Sequence, residues 1–193
     1  MVSWGANPPL GRSSSLFPDP YPRAVDLANI AWVDLAYQDA CAISSGTGYC
    51  WGTAPAASYQ ELSAKRLGRA LPAPVVTPEP IRQIVTTDSI ATTVNSDVIY
   101  RPSRWCACGV SGAVYCAGNN ASGQAGDGTK NYAFQPVKVN LPSRAVEVKV
   151  NPTATCALLE SGQVFCWGSN FNGQLGSGKP KVPSLVPQEV VFP

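Results

Sequence analysis

Residues 155–176 decide the fold: Thr155-Cys156-Ala157-Leu158-Leu159-Glu160-Ser161-Gly162-Gln163-Val164-Phe165-Cys166-Trp167-Gly168-Ser169-Asn170-Phe171-Asn172-Gly173-Gln174-Leu175-Gly176. Alternation from Thr155 to Leu159 and from Gln163 to Trp167 suits two strands. Ser161-Gly162 between them is a tight-turn signal, so the stretch predicts a β-hairpin. The Trp167-Gly168 step joins a large apolar body to a residue that tolerates close backbone approach. Gly173, Gly176 and Gly178 then punctuate a connection that calls for turn geometry.

The same unit recurs upstream. One copy reads Cys106-Ala107-Cys108-Gly109-Val110-Ser111-Gly112-Ala113-Val114-Tyr115-Cys116-Ala117-Gly118-Asn119-Asn120, followed by Gly123-Gln124-Ala125-Gly126. Another is Cys41-Ala42-Ile43-Ser44-Ser45-Gly46-Thr47-Gly48-Tyr49-Cys50-Trp51-Gly52, and the chain opens inside a fourth, Val2-Ser3-Trp4-Gly5-Ala6-Asn7 and then Leu10-Gly11. Measured at the tryptophan position, the period is about 50 residues, the size of a propeller blade of several short strands. Only the step from Trp51 to Ala117 is longer, by about one hairpin. Pro136–Val139 and Val146–Val150 alternate with period two and read as further strands. Val186–Phe192 reads as the opening strand of one more blade.

Composition agrees with many short strands. The chain has 193 residues with Gly 17 and Pro 18, enough length for one domain with a sizeable core. Hydrophobic residues make up 45% and charged residues 13%, which predicts a folded chain with a charge-poor surface. With 14 basic and 12 acidic residues there is no concentrated basic field, so nucleic acid is not an expected partner. The densest basic group, Lys65, Arg66 and Arg69, reads as a solvated surface. No apolar run is long enough to span a bilayer, so no membrane association is expected. The N-terminus lacks the layout of a signal peptide, so an export signal, if the protein has one, would lie outside this sequence.

The string from Cys156 through Trp167-Gly168-Ser169-Asn170 to Gly173-Gln174-Leu175-Gly176 resembles the regulator-of-chromosome-condensation repeat. More narrowly, it looks like the cysteine-paired form found in secreted proteins. In the Cys106 unit Ala117 replaces the tryptophan and Ala125 the leucine; the Cys41 unit is one residue shorter and lacks the Gly-Gln-Leu-Gly string. The resemblance covers residues 24–52 and 105–193. It implies an all-β partial β-propeller of about three four-stranded antiparallel blades with an irregular insertion. It also gives structural roles to Trp4, Gly5, Trp51, Gly52, Gly118, Asn120, Trp167, Gly168, Asn170, Gly173, Gln174, Leu175 and Gly176. The expected organisation is a single partial domain. Residues 1–23 end a preceding blade, 24–52 form a blade, and 53–105 hold an insertion and a degenerate blade segment. Residues 106–135 complete that blade, 136–178 form another, and 179–193 start the next. Since the family's propellers have about seven blades, the chain is expected to be a fragment of a longer protein. The other reading is a protomer that closes a ring by homo-oligomerisation.

Six of the seven cysteines bracket the proposed hairpins: Cys41 with Cys50, Cys106 with Cys116, and Cys156 with Cys166. Facing residues at a non-hydrogen-bonded antiparallel site are within disulfide range. The alternatives are metal binding and buried reduced thiols. Zinc sites favour shorter spacings, usually with histidine, and the chain has none. Recurrence at the same two repeat positions favours bridges, and bridges favour an extracellular or secretory-pathway location over cytoplasm or nucleus. Cys108 is left over. It reads as a small buried hydrophobe, with an intermolecular bridge or shuffling with Cys106 as the sharper alternative. Asn120-Ala121-Ser122 fits the glycosylation pattern, but Asn120 matches Asn170, which points to a structural role.

Within the poorly matching segment, Ser58-Tyr59-Gln60-Glu61 has capping-box spacing and could open a short helix. Ser89–Val94 and Asp97–Tyr100 resemble a degenerate hairpin standing where a cysteine-paired one would be. If a function is peculiar to this chain, this insertion is where to look. Without histidine there is no Ser-His-Asp or Cys-His arrangement, and no phosphate-cradling loop follows a strand into a helix. The expectation is therefore no catalytic, cofactor-binding or metal-binding residues. Two function classes stand: a non-catalytic extracellular protein-interaction scaffold, and an intracellular propeller that regulates a small GTPase or docks on chromatin.

Overall fold

A computed structural model describes residues 1–5, 10–52, 55, 58, 69–88, 90–94, 97–101 and 104–192, with the backbone alone at 69, 70, 90–94 and 97–101. The capping box falls almost wholly outside these residues. Every regular element among them is a β-strand. β1 (Val2–Gly5) pairs with β2 (Asp19–Ala24). The first four-stranded sheet is β3 (Ile30–Leu35), β4 (Asp39–Ser44), β5 (Thr47–Gly52) and β6 (Arg69–Pro74), paired in that order. The second begins with β7 (Ile81–Thr86); β8 (Ile90–Val94) and β9 (Asp97–Arg101) then pair only with each other. It resumes with β10 (Arg104–Gly109), β11 (Val114–Gly118) and β12 (Ala133–Lys138). The third is β13 (Ala145–Val150), β14 (Ala154–Leu159), β15 (Val164–Gly168) and β16 (Ser184–Glu189). All pairs are antiparallel, and β7 packs on β3 and β4 as β13 packs on β7 and β10. The sheets thus pack side by side through their first strands, as propeller blades do.

Two expectations need correcting. Residues 179–193 do not start another blade: β16 bonds to β15, with Cys166 opposite Gln188, and completes the third sheet. Likewise β12 belongs to the second sheet, not to the blade beginning at residue 136, and β6 closes the first. Alternation identifies a strand but carries no information on which neighbour it bonds. The β8–β9 hairpin exists, with Val94 opposite Asp97, but it substitutes for nothing. Its place in the blade belongs to the β10–β11 hairpin, and it is an addition to the β7–β10 connection.

The outer strands share a feature. Pro22, Pro72, Pro136 and Pro187 occupy the same register position in β2, β6, β12 and β16, each at a bulge opposite the Trp-Gly step or its counterpart. A proline has no N–H to donate, so it sits best where the ladder is already broken or faces solvent.

The apolar core lies between blades. Cys41, Ile43 and Cys50 of the first blade meet Ile81, Ile84, Trp105, Ala107 and Ala117 of the second. Trp167 joins the cluster between second and third. The second blade's missing tryptophan has moved across the hairpin. Ala40 faces Trp51 and Thr155 faces Trp167, but in the second blade Trp105 faces Ala117. Each such pair holds one indole and one small residue, so the volume at that level is conserved.

Candidate interaction face

Direction alternates along each sheet, so first-to-second and third-to-fourth connections leave from one end of the blades. The other end carries tight turns, with Ser45 and Gly46 at positive φ in the first. It is also tied down. Glu79 Oε1 accepts from the Ser111 hydroxyl at 2.5 Å and the Tyr115 hydroxyl at 3.0 Å, while Oε2 accepts from Ser111 N at 2.8 Å. These bonds, Ser111 first, hold the Glu79 carboxyl below its ordinary range despite some burial. The chain leaves the first end after β1, β5, β7, β11 and β15, and the connection after β7 carries the β8–β9 hairpin. Length and sequence vary there while the scaffold stays constant, which is where binding loops reside.

The third-to-fourth connections are organised by the predicted asparagines. Asn120 is buried; its Oδ1 accepts from Ala125 N at 2.8 Å, and its Nδ2 donates to Asp127 Oδ1 and Thr129 O, both at 3.1 Å. Asn170 repeats this, accepting from Leu175 N at 3.1 Å and donating to Pro180 O at 3.1 Å. The Asn120 amide is committed to the loop, which leaves no room for a glycan.

The loop also clamps the next blade. Gln124 O accepts from Trp167 Nε1 at 2.9 Å and from Thr155 Oγ1 at 2.7 Å. Gly126 lies beneath the same indole, where a Cβ would stand 2.6 Å from Nε1. Gly168, at φ 106°, brings its backbone against Thr153 and Ala154, so the Trp-Gly step needs glycine sterically as well as conformationally.

A residue unforeseen from sequence reinforces this joint. Arg104 is fully buried and donates to Thr155 Oγ1 (2.7 Å), Asn151 O (2.6 Å) and Ala154 O (2.7 Å) across the blade boundary. Burial pulls its guanidinium down to about 9, so it remains charged at neutral pH. Gln83 Oε1 accepts from Val148 N at 2.8 Å, and Asp34 Oδ2 from Thr86 N at 2.7 Å. Nothing in a single repeat marks these residues, because each acts on the neighbouring blade.

The six bracketing cysteines form the three expected bridges, Cys41–Cys50, Cys106–Cys116 and Cys156–Cys166, each with Cα atoms 4.1 Å apart. Cys108 is free and buried; burial pushes its thiol up, and Arg82 Nη2 donates toward its sulfur at 3.1 Å. Trp51 and Trp167 are buried as expected, whereas Trp4 is 61% exposed. Leu175 is buried, but Gln174, unlike its counterpart Gln124, lies at the surface. Among the described residues no three histidine, cysteine or acidic side chains converge as a metal site.

A cavity of about 390 Å³ in the β1–β2 connection is lined by Arg12, Ser13, Ser14, Ser15, Asp19 and Arg23, among others. Arg12 Nη1 donates to Asp19 Oδ2 at 2.8 Å. The Ser14 hydroxyl first, then the Tyr21 amide and Arg12, hold the Asp19 carboxyl down from 3.8 to about 2. Its folded value lies below its unfolded one, so this stabilisation is complete above pH about 4 and disappears as pH falls through about 2. Asp19→Asn should therefore melt below wild type at neutral pH, and the two melting temperatures should converge between pH 4 and 2. A gap independent of pH would refute the assignment.

Family models described as the regulator of chromosome condensation (RCC1) repeat match residues 146–174 and 161–193. No curated protein matches the chain. Among solved structures, yeast RCC1 (Prp20) bound to Kap60 superposes with a TM-score of 0.76 at 16% identity, over 99% of this chain and 44% of that one. Prp20p from Saccharomyces cerevisiae, whose structure is described with its binding to Gsp1p and histones, gives 0.74 at 16%, over 99% and 46%. Human WBSCR16 gives 0.71 at 19%, over 100% and 48%. The chain thus spans less than half the length of each of these structures. The RCC1-repeat models thus match the third blade, residues 146–193, and the likeness to the solved structures shows that the described sheets are blades of a β-propeller.

Proposed function

We propose that the chain is a non-catalytic protein-interaction scaffold of an oxidising, extracellular or secretory compartment, and that it binds its partner through the end bearing the β8–β9 hairpin. The observation that carries this reading is the asymmetry of the blades. One end carries only tight turns and short links, the one at 75–80 pinned through Glu79. The other gathers every long connection, and one of these is extended by an added hairpin. The three bridges support the compartment, since such pairs persist where thiols are not kept reduced. No cofactor is called for.

The test uses protein recovered from its own host without reductant. Alkylation under denaturing conditions should modify one cysteine, Cys108, out of seven; modification of all seven would overturn the compartment. Immobilised wild-type chain should retain a partner that is lost when 88–103 is replaced by a connection as short as 151–153, and kept in Arg144→Ala at the opposite end. Retention by the shortened variant would sink the hairpin face. An intracellular role of the kind suggested by Gsp1p and histone binding in the yeast relative predicts the opposite alkylation result.

A further inference from the structure

We propose that the partner is bound by main-chain pairing: an extended segment of another protein adds as a third strand to the outer edge of β8. This rests on the scaffold reading for the face involved and deepens it by naming the chemistry of the contact. The β8–β9 hairpin belongs to a connection of the second sheet, which has a described blade on either side.

The two strands read Ile90-Ala91-Thr92-Thr93-Val94 and Asp97-Val98-Ile99-Tyr100-Arg101. All of β8 except Ala91 is β-branched, the residue class that best suits an extended, pleated backbone. Two residues separate the facing pair Val94 and Asp97, so this pair closes a β-turn and exchanges the ladder bonds. Bonding alternates along an antiparallel pair. The N–H and C=O of Ala91 and Thr93 are therefore directed away from β9, and those of Val98 and Tyr100 away from β8. Among the described residues β8 and β9 bond to no other strand. A two-stranded hairpin is marginal in water, and a third strand supplies the pairing it lacks.

Composition separates β8 from the strands at the periphery of the blades. The outer strands β2, β6, β12 and β16 each carry a proline where the ladder breaks. On the hairpin itself, β9 has Asp97 at one end and Arg101 at the other, and charge guards an edge as proline does. In β8 there is neither a proline nor a charge. The unguarded edge thus belongs to the end of the blades that gathers the long connections. In strand addition the main-chain bonds supply affinity, and alternate side chains supply selectivity. An uncharged edge offers no ion pair, so the segment that fits it is extended, free of proline and apolar or β-branched, not acidic or basic.

The probe is a synthetic peptide with the sequence of residues 97–101, blocked at both ends, because β9 pairs antiparallel with β8 through that sequence. Titrated to millimolar concentration into the bridged chain, it should slow hydrogen exchange at the Ala91 and Thr93 amides, read by nuclear magnetic resonance. Thr93→Pro removes an outward N–H and spares the ladder to β9, and it should weaken binding about tenfold. Thr93→Ala keeps that N–H, and Val98→Pro alters only the other edge, so both should bind within about twofold of wild type. No protection at Ala91 and Thr93 overturns the proposal, as does an equal loss in Val98→Pro. Protection of the same amides by self-association, without peptide, would give the edge to a second copy and also overturn it. With immobilised chain, a partner lost on shortening 88–103 but kept by Thr93→Pro would sink strand addition and leave the hairpin face standing. A partner kept by both variants would remove the face itself.

Discussion

In millimolar dithiothreitol at neutral pH the protein is expected to unfold at room temperature. Each bridge closes a loop with a sequence separation of 9 or 10 residues. On the chain-entropy model each closure removes roughly 2.5–3 kcal/mol of freedom from the unfolded chain. Together that is about 8 kcal/mol, as large as the whole stability of a typical domain, about 5–15 kcal/mol. Replacing only Cys106 and Cys116 by alanine should lower the melting temperature by roughly 6–12 °C, taking about 2–4 °C per kcal/mol for a chain of this size. Both residues lie in the cluster between second and third blades, so the loss should be at the upper end of that range. Near-ultraviolet circular dichroism with and without reductant is the direct measurement. A reduced chain that keeps its aromatic signal and melts within about 3 °C of the oxidised one would contradict this account.

The second large effect is expected at Trp105. Trp105→Ala removes a buried indole from the cluster between first and second blades and leaves Ala117 opposite a void, a loss of about 3–5 kcal/mol. Ala117→Trp alone forces a second indole into a filled site and should also destabilise, by about 1–3 kcal/mol. The two changes together restore one large and one small residue on facing positions, the arrangement of the blades centred on Trp51 and Trp167. The double variant should therefore be more stable than Trp105→Ala by at least about 1 kcal/mol, a coupling that urea denaturation can resolve. Strict additivity would mean that the two positions do not share one volume, and the exchange of roles would be coincidental.

That exchange also shows what could be read from the residues alone. The repeat, the hairpins and the pairing of six cysteines are local. They lie within about twenty consecutive residues, so turn chemistry and period reveal them. Ala117 looked like a defect in the signature, because the compensating Trp105 stands on the partner strand, where register and not spacing makes the two neighbours. The fourth strands at residues 133–138 and 184–189 are legible as strands but not as to their sheet, and the one at 69–74, with Pro72 and Pro74 inside it, is not legible at all. Alternation does not distinguish pairing backward across a bulge from opening the next blade. Arg104, Gln83 and Asp34 were invisible for a related reason, since each satisfies acceptors or donors more than 45 residues away. Of the candidate interaction face, the insertion was recognised by its extra length, and its position came only from the direction of the strands.

The four outer-strand prolines bear on how such a molecule coexists with its own copies at high concentration. A strand edge with free amides can be extended by any extended peptide, and every blade of a propeller turns one such edge outward. Pro22, Pro72, Pro136 and Pro187 remove one amide at the same height in each. The outer edge of each described blade is thereby made a poor template for backbone pairing with another chain, whatever the concentration.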